Sequence, residues 1–590
     1  MNQLSNEQQL FIDYALAGHN ILVEACIGSG KTTAIQALCN RLAGKRVLYL
    51  TYNKLLKLDA KARIRNGFVT VTNYHGFAWQ ELRKNQMNAG VSDLIQAYNQ
   101  ADLPVFPYDV LILDEYQDID QEIADMLTHI KEKCPRIQIV AVGDMCQKIY
   151  DKTTLDVGAF IHNFLGNYIP MEFTQCFRLG SYHAAMLGRV WGKTIVGVNE
   201  AFRLDILPEY EARRIASQTK PKDLLVLGSR DHGATKLQNY LEDQYPDIFN
   251  KHTLWSKVFE TSGATSPTPD CAIFTTYDGC KGMERNVCIL YDWDVRYWMA
   301  RSQKPDVQYD ILRNLFCVAA SRGKQRLILI DERDLMDEET LSTPFHTKHE
   351  HGDMRISGMF SFKRKEDLEN AYQLLQLEMV DHPGDPIHIP ISDGLIDLSF
   401  CVGTYAKAMY FANYNLDAAI EDCLASPDKE HLRRGYKSYD INRKLLYLAM
   451  LETGQNRYMN QVRRIEVSPE AEEALKARLS THLTPEETAQ ASGYLTVLDA
   501  YEERPLFSVR GMADVLTKDG VWMLTFTEAI PHEDVLQAAV HMIAQNKDTG
   551  YVWNLYSGER LKITIPDRDA FLDVVGFCVT KGVYPETIWE

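Results

Sequence analysis

The stretch Ile21–Leu38, ILVEACIGSGKTTAIQAL, runs from an apolar β-forming segment through a glycine turn into a helix-forming segment. Its loop, Ala25-Cys-Ile-Gly-Ser-Gly-Lys-Thr32, fits GxxxxGK[ST] apart from alanine at the first position. Strand before and helix after is the context that this pattern needs. The backbone N–H groups around Gly28, Ser29 and Gly30, and the helix start at Lys31, Thr32 and Thr33, then wrap phosphates. Lys31 is placed to reach β- and γ-phosphate oxygens, and the Thr32 hydroxyl to bind Mg²⁺. ATP and Mg²⁺ are the expected ligands. A chance glycine turn accounts poorly for so much context, but the loop alone does not say what hydrolysis drives.

The chain has 590 residues, room for roughly four domains at about 150 residues each. Its 45% hydrophobic and 24% charged content is that of a soluble globular protein. No apolar run approaches the roughly 18 residues of a membrane helix, and the polar N-terminus MNQLSNEQQL has no signal pattern. A cytoplasmic protein without a membrane partner is expected. Twelve cysteines stand singly with no CxxC pair, which reads as reduced thiols and excludes an iron–sulfur cluster that needs grouped ligands. HTKHEHGD (His346–Asp353) reads as a solvated linker, since no second ligand cluster with zinc-like spacing accompanies it. The formal net charge of −17 argues weakly against a nucleic-acid coat, although a local basic groove can bind phosphates on an acidic body.

The apolar runs NILVEA, RVLYL, VLILDE, QIVAVGD, LLVLGS, AIFTTYD and RLILIDE read as buried parallel strands. Segments between them, such as KTTAIQALCNRL and QEIADMLTHIKEKC, have helical spacing. The fold class predicted is α/β, with two parallel-sheet domains at 1–167 (a small insertion at about 78–107) and 168–335. The break is expected near Leu165–Tyr168. An acidic linker covers 336–360, and 361–590 forms an α+β unit with strands at LFSVRGMADVL, GVWMLTFTE, YVWNLY and RLKITI and a helix at HEDVLQAAVHMIAQ.

Asp114 and Glu115 end the run YDVLIL inside the string DEYQD. An aspartate there can hold Mg²⁺, and the adjacent glutamate can orient and deprotonate the attacking water. With LSNEQQ, LTYNK (Leu50–Lys54), NYHGF (Asn73–Phe77), VGDMCQKIY (Val142–Tyr150), TQCFR ending at Arg178, TYDGCKGME (Thr276–Glu284) and VAASRGK (Val318–Lys324), the set resembles the motifs of superfamily 1 helicases of the UvrD, PcrA and Rep type, in the family's order, across about residues 1–330. DEYQD is its most specific element, and family members also carry alanine at the position of Ala25.

The resemblance implies ATP hydrolysis in a cleft between two RecA-like domains. By it, Gln8 reads adenine, although the spacing from Ser5 also makes a capping box, S-x-x-Q, and both roles can coexist. Gln147 couples the γ-phosphate to the DNA site, Arg178 and Arg322 approach that phosphate as arginine fingers do, Phe177 stacks the adenine and Glu284 contacts the nucleotide. Tyr52, Lys54, Tyr74 and His75 are the candidate contacts to single-stranded or partly duplex DNA, which needs aromatic platforms and phosphate partners. Two departures weaken tight DNA coupling. Asp151-Lys152-Thr153-Thr154 replaces an aromatic-Arg-Gly string, and Asp278 stands where the family has histidine. The short stretches His75–Asp114 and Leu224–Thr276 leave no space for the large accessory domains of relatives, so the motor is compact.

RGMADVLTKDGVWMLTFTEA followed by HEDVLQAAVHM resembles the RecB-like PD-(D/E)xK nuclease fold, with Asp514 on one strand and Gln537 on the next helix. Such sites need a carboxylate and a lysine two positions apart on the second strand. Met523, Thr525 and Thr527 occupy that strand and Glu528 is a poor substitute, so a nuclease-like domain without activity is expected; a generic α+β domain is the other reading. The function expected is an ATP-dependent DNA helicase or single-stranded DNA translocase. The alternative is a DNA-sensing ATPase switch whose C-terminal unit recruits a separate nuclease or a repair or defence protein.

Overall fold

The computed structural model describes residues 4–580 except 52–59, 88–93, 149–154, 229–232, 258–264, 281–282, 292–313, 331–353, 361–364, 426–428, 430–431, 434 and 499–504. Six strands form a wholly parallel first sheet: β1 (Ile21–Ala25), β2 (Val47–Thr51), β3 (Val69–Asn73), β4 (Val110–Asp114), β5 (Gln138–Gly143) and β6 (Ile169–Phe173), in the order β3-β2-β4-β5-β1-β6. β2 and β4 are buried at every position, as apolar runs covered on both faces must be. The order sets β1 beside β5 and β5 beside β4, so the loops leaving the carboxyl ends of these three strands share one end of the sheet. Ligands of open parallel sheets bind at that end.

The first sheet does not stop at the break expected near Leu165–Tyr168. β6 lies beyond it and pairs with β1, Ile21 opposite Ile169. β6 (IPMEF) and the opposite edge strand β3 (VTVTN) were missed as strands for one reason: an edge strand is only partly covered, and its polar residues break the apolar run.

β7 (Gln175–Cys176) and β8 (Val196–Gly197) form a short parallel pair. The second sheet contains β9 (Arg203–Leu207), β10 (Leu224–Leu227), β11 (Leu254–Lys257), β12 (Ala272–Thr275), β13 (Arg285–Leu290) and β14 (Gly323–Ile330), in the order β11-β12-β10-β13-β14-β9. The third sheet is mixed. It takes β15 (Met354–Arg355), β16 (Gln376–Asp381), β19 (Thr488–Leu498), β20 (Pro505–Leu516), β21 (Val521–Thr525), β22 (Gly550–Asn554) and β23 (Arg560–Thr564), in the order β15-β20-β21-β22-β23-β16 with β19 on β20. β17 (Ser392–Asp393) and β18 (Ile396–Asp397) pair as a small hairpin. The architecture is therefore α/β with parallel-sheet domains and a further mixed sheet.

The chain divides into two compact units. One contains residues 1–205, 280–288 and 310–327, and the other 206–279, 289–309 and 328–590. In the second unit the helix Ser399–Tyr410 contributes Cys401, Val402 and Ala406 to an apolar core with Leu445, Leu448, Trp522 and Trp553. Burial of each large side chain there contributes about 1.5–3 kcal/mol. Among the described residues, no helix is long and apolar enough to cross a membrane.

Candidate nucleotide site

Every described residue of the candidate nucleotide site lies in the first unit. The loop after β1 turns at Gly28 (φ 68°) and Gly30 (φ 77°), left-handed conformations that cost other residues energy. Space excludes side chains there too. A Cβ on Gly28 would meet Arg178 Cβ and Cys176 Sγ at 2.9 Å, and one on Gly30 would meet Gln8 Nε2 at 2.7 Å. Ala25 is the buried last residue of β1, and Lys31 opens the helix Lys31–Arg41 with Thr32 half-buried and Thr33 exposed behind it. Gly30→Ala is expected to lower nucleotide affinity about tenfold, the equivalent of the 1–2 kcal/mol that a left-handed Cβ costs. Titration with a fluorescent ATP analogue reads this directly.

Gln8 does two things. Its Oε1 accepts from Ser5 N at 3.0 Å while Ser5 Oγ accepts from Gln8 N at 3.2 Å, which closes the capping box of the helix Asn6–Leu16. Its Nε2 donates to Ser29 O at 2.9 Å and so ties that helix to the phosphate loop. The Phe177 ring, 43% exposed, stands 3.9 Å from a Cβ built on Gly30, and Phe177 N donates to Gly28 O at 3.0 Å.

Asp114 ends β4, fully buried, with Oδ2 accepting from the Tyr49 hydroxyl at 2.7 Å. Burial and then the neighbouring Glu115 carboxylate push its carboxyl upward, against the pull of Tyr49 and Lys31. Its Oδ1 has no hydrogen-bond partner among the described residues, and neither does the buried Ser29 Oγ. A buried acceptor without a donor is costly unless a cation or donor meets it. Asp114 with Thr32 therefore fits Mg²⁺, which normally takes one or two protein oxygens and completes its shell with water and phosphate.

Glu115 adopts a left-handed conformation (φ 58°, ψ 50°), a strain of order 1–3 kcal/mol for a residue that is not glycine. The surrounding structure imposes it. Glu115 N donates to Val142 O at 2.9 Å on β5, and Gln117 Nε2 donates to Glu115 Oε2 at 2.6 Å. Lys31 Nζ lies 3.4 Å from the same Oε2. Gln117 also accepts from Asp144 N at 2.9 Å, so one buried amide joins the ends of β4 and β5. Asp144 in turn accepts from Gln147 Nε2 at 2.7 Å and from Lys193 Nζ at 2.7 Å. Burial opposes a charged Lys193, but the Asp144 carboxylate more than offsets it and raises the lysine. Tyr49, Gln117, Asp144 and Lys193 were not anticipated. Gln117 and Asp144 stood in the quoted strings DEYQD and VGDMCQKIY, whereas nothing near Lys193 marks it.

Arg178 donates to Ser321 O at 3.1 Å and pairs with Glu284, whose other oxygen is 2.7 Å from Lys324 Nζ. Burial raises the Glu284 carboxyl, but Arg178, Lys324 and Arg322 together hold it down at about 2. Arg322 is buried and donates through Nε to Val318 O at 2.9 Å; desolvation lowers its affinity for the proton. The two arginines and Glu284 thus form one cluster. Of the candidate DNA contacts, Tyr52 and Lys54 lie outside the described residues. Tyr74 is 1% exposed and packed in the core of the first sheet, whereas His75 beside it is exposed.

Asp514 is not alone on its strand. Lys407, from the helix Ser399–Tyr410, places Nζ 2.7 Å from Asp514 Oδ1, and Leu524 N donates to Oδ2 at 2.8 Å. A lysine 107 residues upstream reaches the carboxylate through tertiary packing, which no local spacing could show. The second strand offers Asp514 no lysine, as its sequence indicates, but Lys407 on the helix supplies the positive charge in its place.

A parallel sheet whose β1 runs into a glycine turn and helix, with an acidic pair at the end of β4, defines a P-loop nucleotide-binding domain. Residues 8–153 match the family model described as AAA domain. No curated protein sequence matches the chain. Among solved structures, the DUF1998 helicase MrfA bound to DNA is similar at 12% identity, over 56% of this chain and 49% of that one, with a TM-score of 0.34. Arterivirus nonstructural protein 10, a helicase, is 12% identical over 57% of this chain and 64% of that one, at a TM-score of 0.29. S. cerevisiae Dbp5 bound to Nup159, Gle1, IP6 and ADP is 12% identical over 57% and 90%, at 0.32. The chain thus spans about half the length of the first of these, and likenesses so distant add nothing to the geometry.

Proposed function

We propose that this protein is an ATP-driven translocase on single-stranded nucleic acid, a compact helicase-type motor of the UvrD kind. The observation that carries the ATPase reading is Glu115, strained and pinned by Gln117 within reach of Lys31. A carboxylate so held is positioned as general base for the attacking water. Lys31 would meet the β/γ-phosphate oxygens in place of its contact with Glu115. Thr32 and Asp114 would hold Mg²⁺, which supplies charge neutralisation on the phosphates. Gln8 and Phe177 border the place where a base would stack beside Gly30. Arg178 and Arg322 supply positive charge for the transferring phosphoryl, Arg178 exchanging Glu284 for phosphate oxygens.

Gln147 gives this site an outlet. Its amide is bound to Asp144, and Lys193 holds the same carboxylate, so a change at Gln147 is felt one residue further on, at a buried charge. The nucleic-acid part of the reading rests on the strings LTYNK and NYHGF and on exposed His75. It predicts that single-stranded DNA stimulates ATP hydrolysis. Its apparent affinity should fall with salt by a slope of about −0.7 per phosphate contact in a log–log plot. Steady-state ATPase assays with and without single-stranded DNA over a salt series test this. A rate indifferent to nucleic acid favours the switch reading, in which the C-terminal unit, nuclease-like in resemblance, recruits a partner.

A further inference from the structure

The second unit holds an open-mouthed cavity of about 380 Å³ at the carboxyl end of β21, bounded by the helices Ser399–Tyr410, Ile441–Thr453 and His532–Ala544. That volume lies within the range of small-molecule sites. Five carboxylates, Asp397, Asp422, Glu452, Asp514 and Asp534, line it against four cations, Lys257, Arg355, Lys407 and Arg457. Lys407 sits on Asp514 at 2.7 Å, and Arg355 bridges Asp422 at 2.9 Å and Glu452 at 2.8 Å. Arg510 adds a longer contact to Asp422 at 3.6 Å, and Arg457 is taken by Glu242, which lies off the cavity. Asp534 also lines the wall and has no ion-pair partner among the described residues. Burial pushes its carboxyl up to about 7, the Glu533 and Asp514 charges adding to the rise and the Thr525 hydroxyl and the Lys407 charge acting the other way. Lys407, the cation that acts on it, is committed to Asp514 at 2.7 Å.

Unmet polar atoms on the same wall point to an occupant. His541 is 2% exposed and its Nδ1 has no partner among the described residues; burial holds this imidazole down at about 4, so it is a neutral ring and adds no positive charge. Ser399 Oγ and Arg457 Nε line the cavity in the same unmet state. Buried side chains of this kind are normally hydrogen-bonded. The aromatic rings of Phe400, Tyr414 and Phe526 complete the wall.

We propose that this cavity binds a small organic cation, a protonated amine or guanidinium that pairs with Asp534 and lies against the aromatic wall. Excess carboxylate disfavours a phosphate-bearing ligand, and aromatic faces attract cations. The volume greatly exceeds that of a metal ion, and among the described residues no group of histidine, cysteine and carboxylate is arranged to hold one. The site is separate from the nucleotide site in sequence and in unit, so the proposal stands whatever drives the ATPase.

The probe is agmatine, a four-carbon chain with an ammonium and a guanidinium, titrated calorimetrically into the full chain. Mn²⁺ and dAMP serve as comparison ligands. Saturable agmatine binding is expected, weakened about tenfold or more in Asp534→Asn, as loss of a charged hydrogen bond implies. The ATPase rate of that variant without agmatine should equal wild type. Phe400→Ala, on the exposed side of the wall (46% exposed), keeps the test open if Asp534→Asn fails to fold, and should weaken binding about threefold. Absence of saturable heat, meaning a cavity that holds water only, overturns the proposal. So does agmatine affinity unchanged in both variants, or tighter binding of Mn²⁺ or dAMP that Asp534→Asn abolishes.

Discussion

Glu115→Gln is expected to bind ATP as the wild type does and to hydrolyse it about 10²–10⁴-fold more slowly, the contribution of a positioned general base. The amide keeps the size of the side chain and can still meet Gln117, but it cannot accept the proton of the attacking water. Lys31→Ala should behave differently. Its ammonium lies 3.4 Å from Glu115 and the residue is 9% exposed, so its loss takes the neighbouring cation from that half-buried carboxylate and removes the phosphate contact. Nucleotide affinity should then fall together with turnover. Equilibrium binding of a fluorescent ATP analogue and single-turnover hydrolysis separate the two variants. Wild-type turnover by Glu115→Gln would remove Glu115 from the role of base. Gln117→Ala is informative beside it, because without that amide the left-handed Glu115 loses its pin.

The second large effect concerns stability. Arg457→Ala should destabilise the second unit by about 3–5 kcal/mol, the cost of leaving one partner of a buried ion pair alone. Arg457 and Glu242 are 1% and 2% exposed, with Nη2 3.0 Å from Oε1 and the same nitrogen donating to Leu254 O at 2.7 Å. Gln461 and Gln238 donate to the two Glu242 oxygens at 2.8 and 3.2 Å. Burial raises the Glu242 carboxyl and the Arg457 charge works against that, so removing the arginine leaves a carboxyl that must protonate or stay uncompensated. The measurement is the urea transition of the second unit, followed apart from the first because a chain of two units need not unfold in one step. Replacing both partners, Arg457→Met with Glu242→Leu, should recover much of the loss. A change below about 1 kcal/mol in Arg457→Ala would mean that water reaches the pair.

Residue patterns announced the candidate nucleotide site because its chemistry is local. The glycines of the P-loop are needed where φ is positive, the lysine and threonine follow directly, and DEYQD carries both acidic groups within one turn. Covered strands were equally plain: β1, β2, β4, β5, β10, β12 and β14 are apolar runs buried in sheets. Edge strands were not, since half of their residues face polar surroundings. Tyr74 shows the opposite failure. A tyrosine in a motif-like string suggests a stacking platform, yet its neighbours in the fold enclose it.

What the chain by itself determined was the covered strands, the glycine-rich loop and the acidic pair, all of which depend on neighbours in sequence. Tertiary structure alone decided the partners of the charges. Lys193 meets Asp144 across 49 residues, Lys407 meets Asp514 across 107 and Arg355 meets Glu452 across 97. The reason is physical. A buried charge must find its counter-charge wherever packing brings one within about 3 Å, and packing is set by apolar surfaces that carry no record of which charge they will deliver.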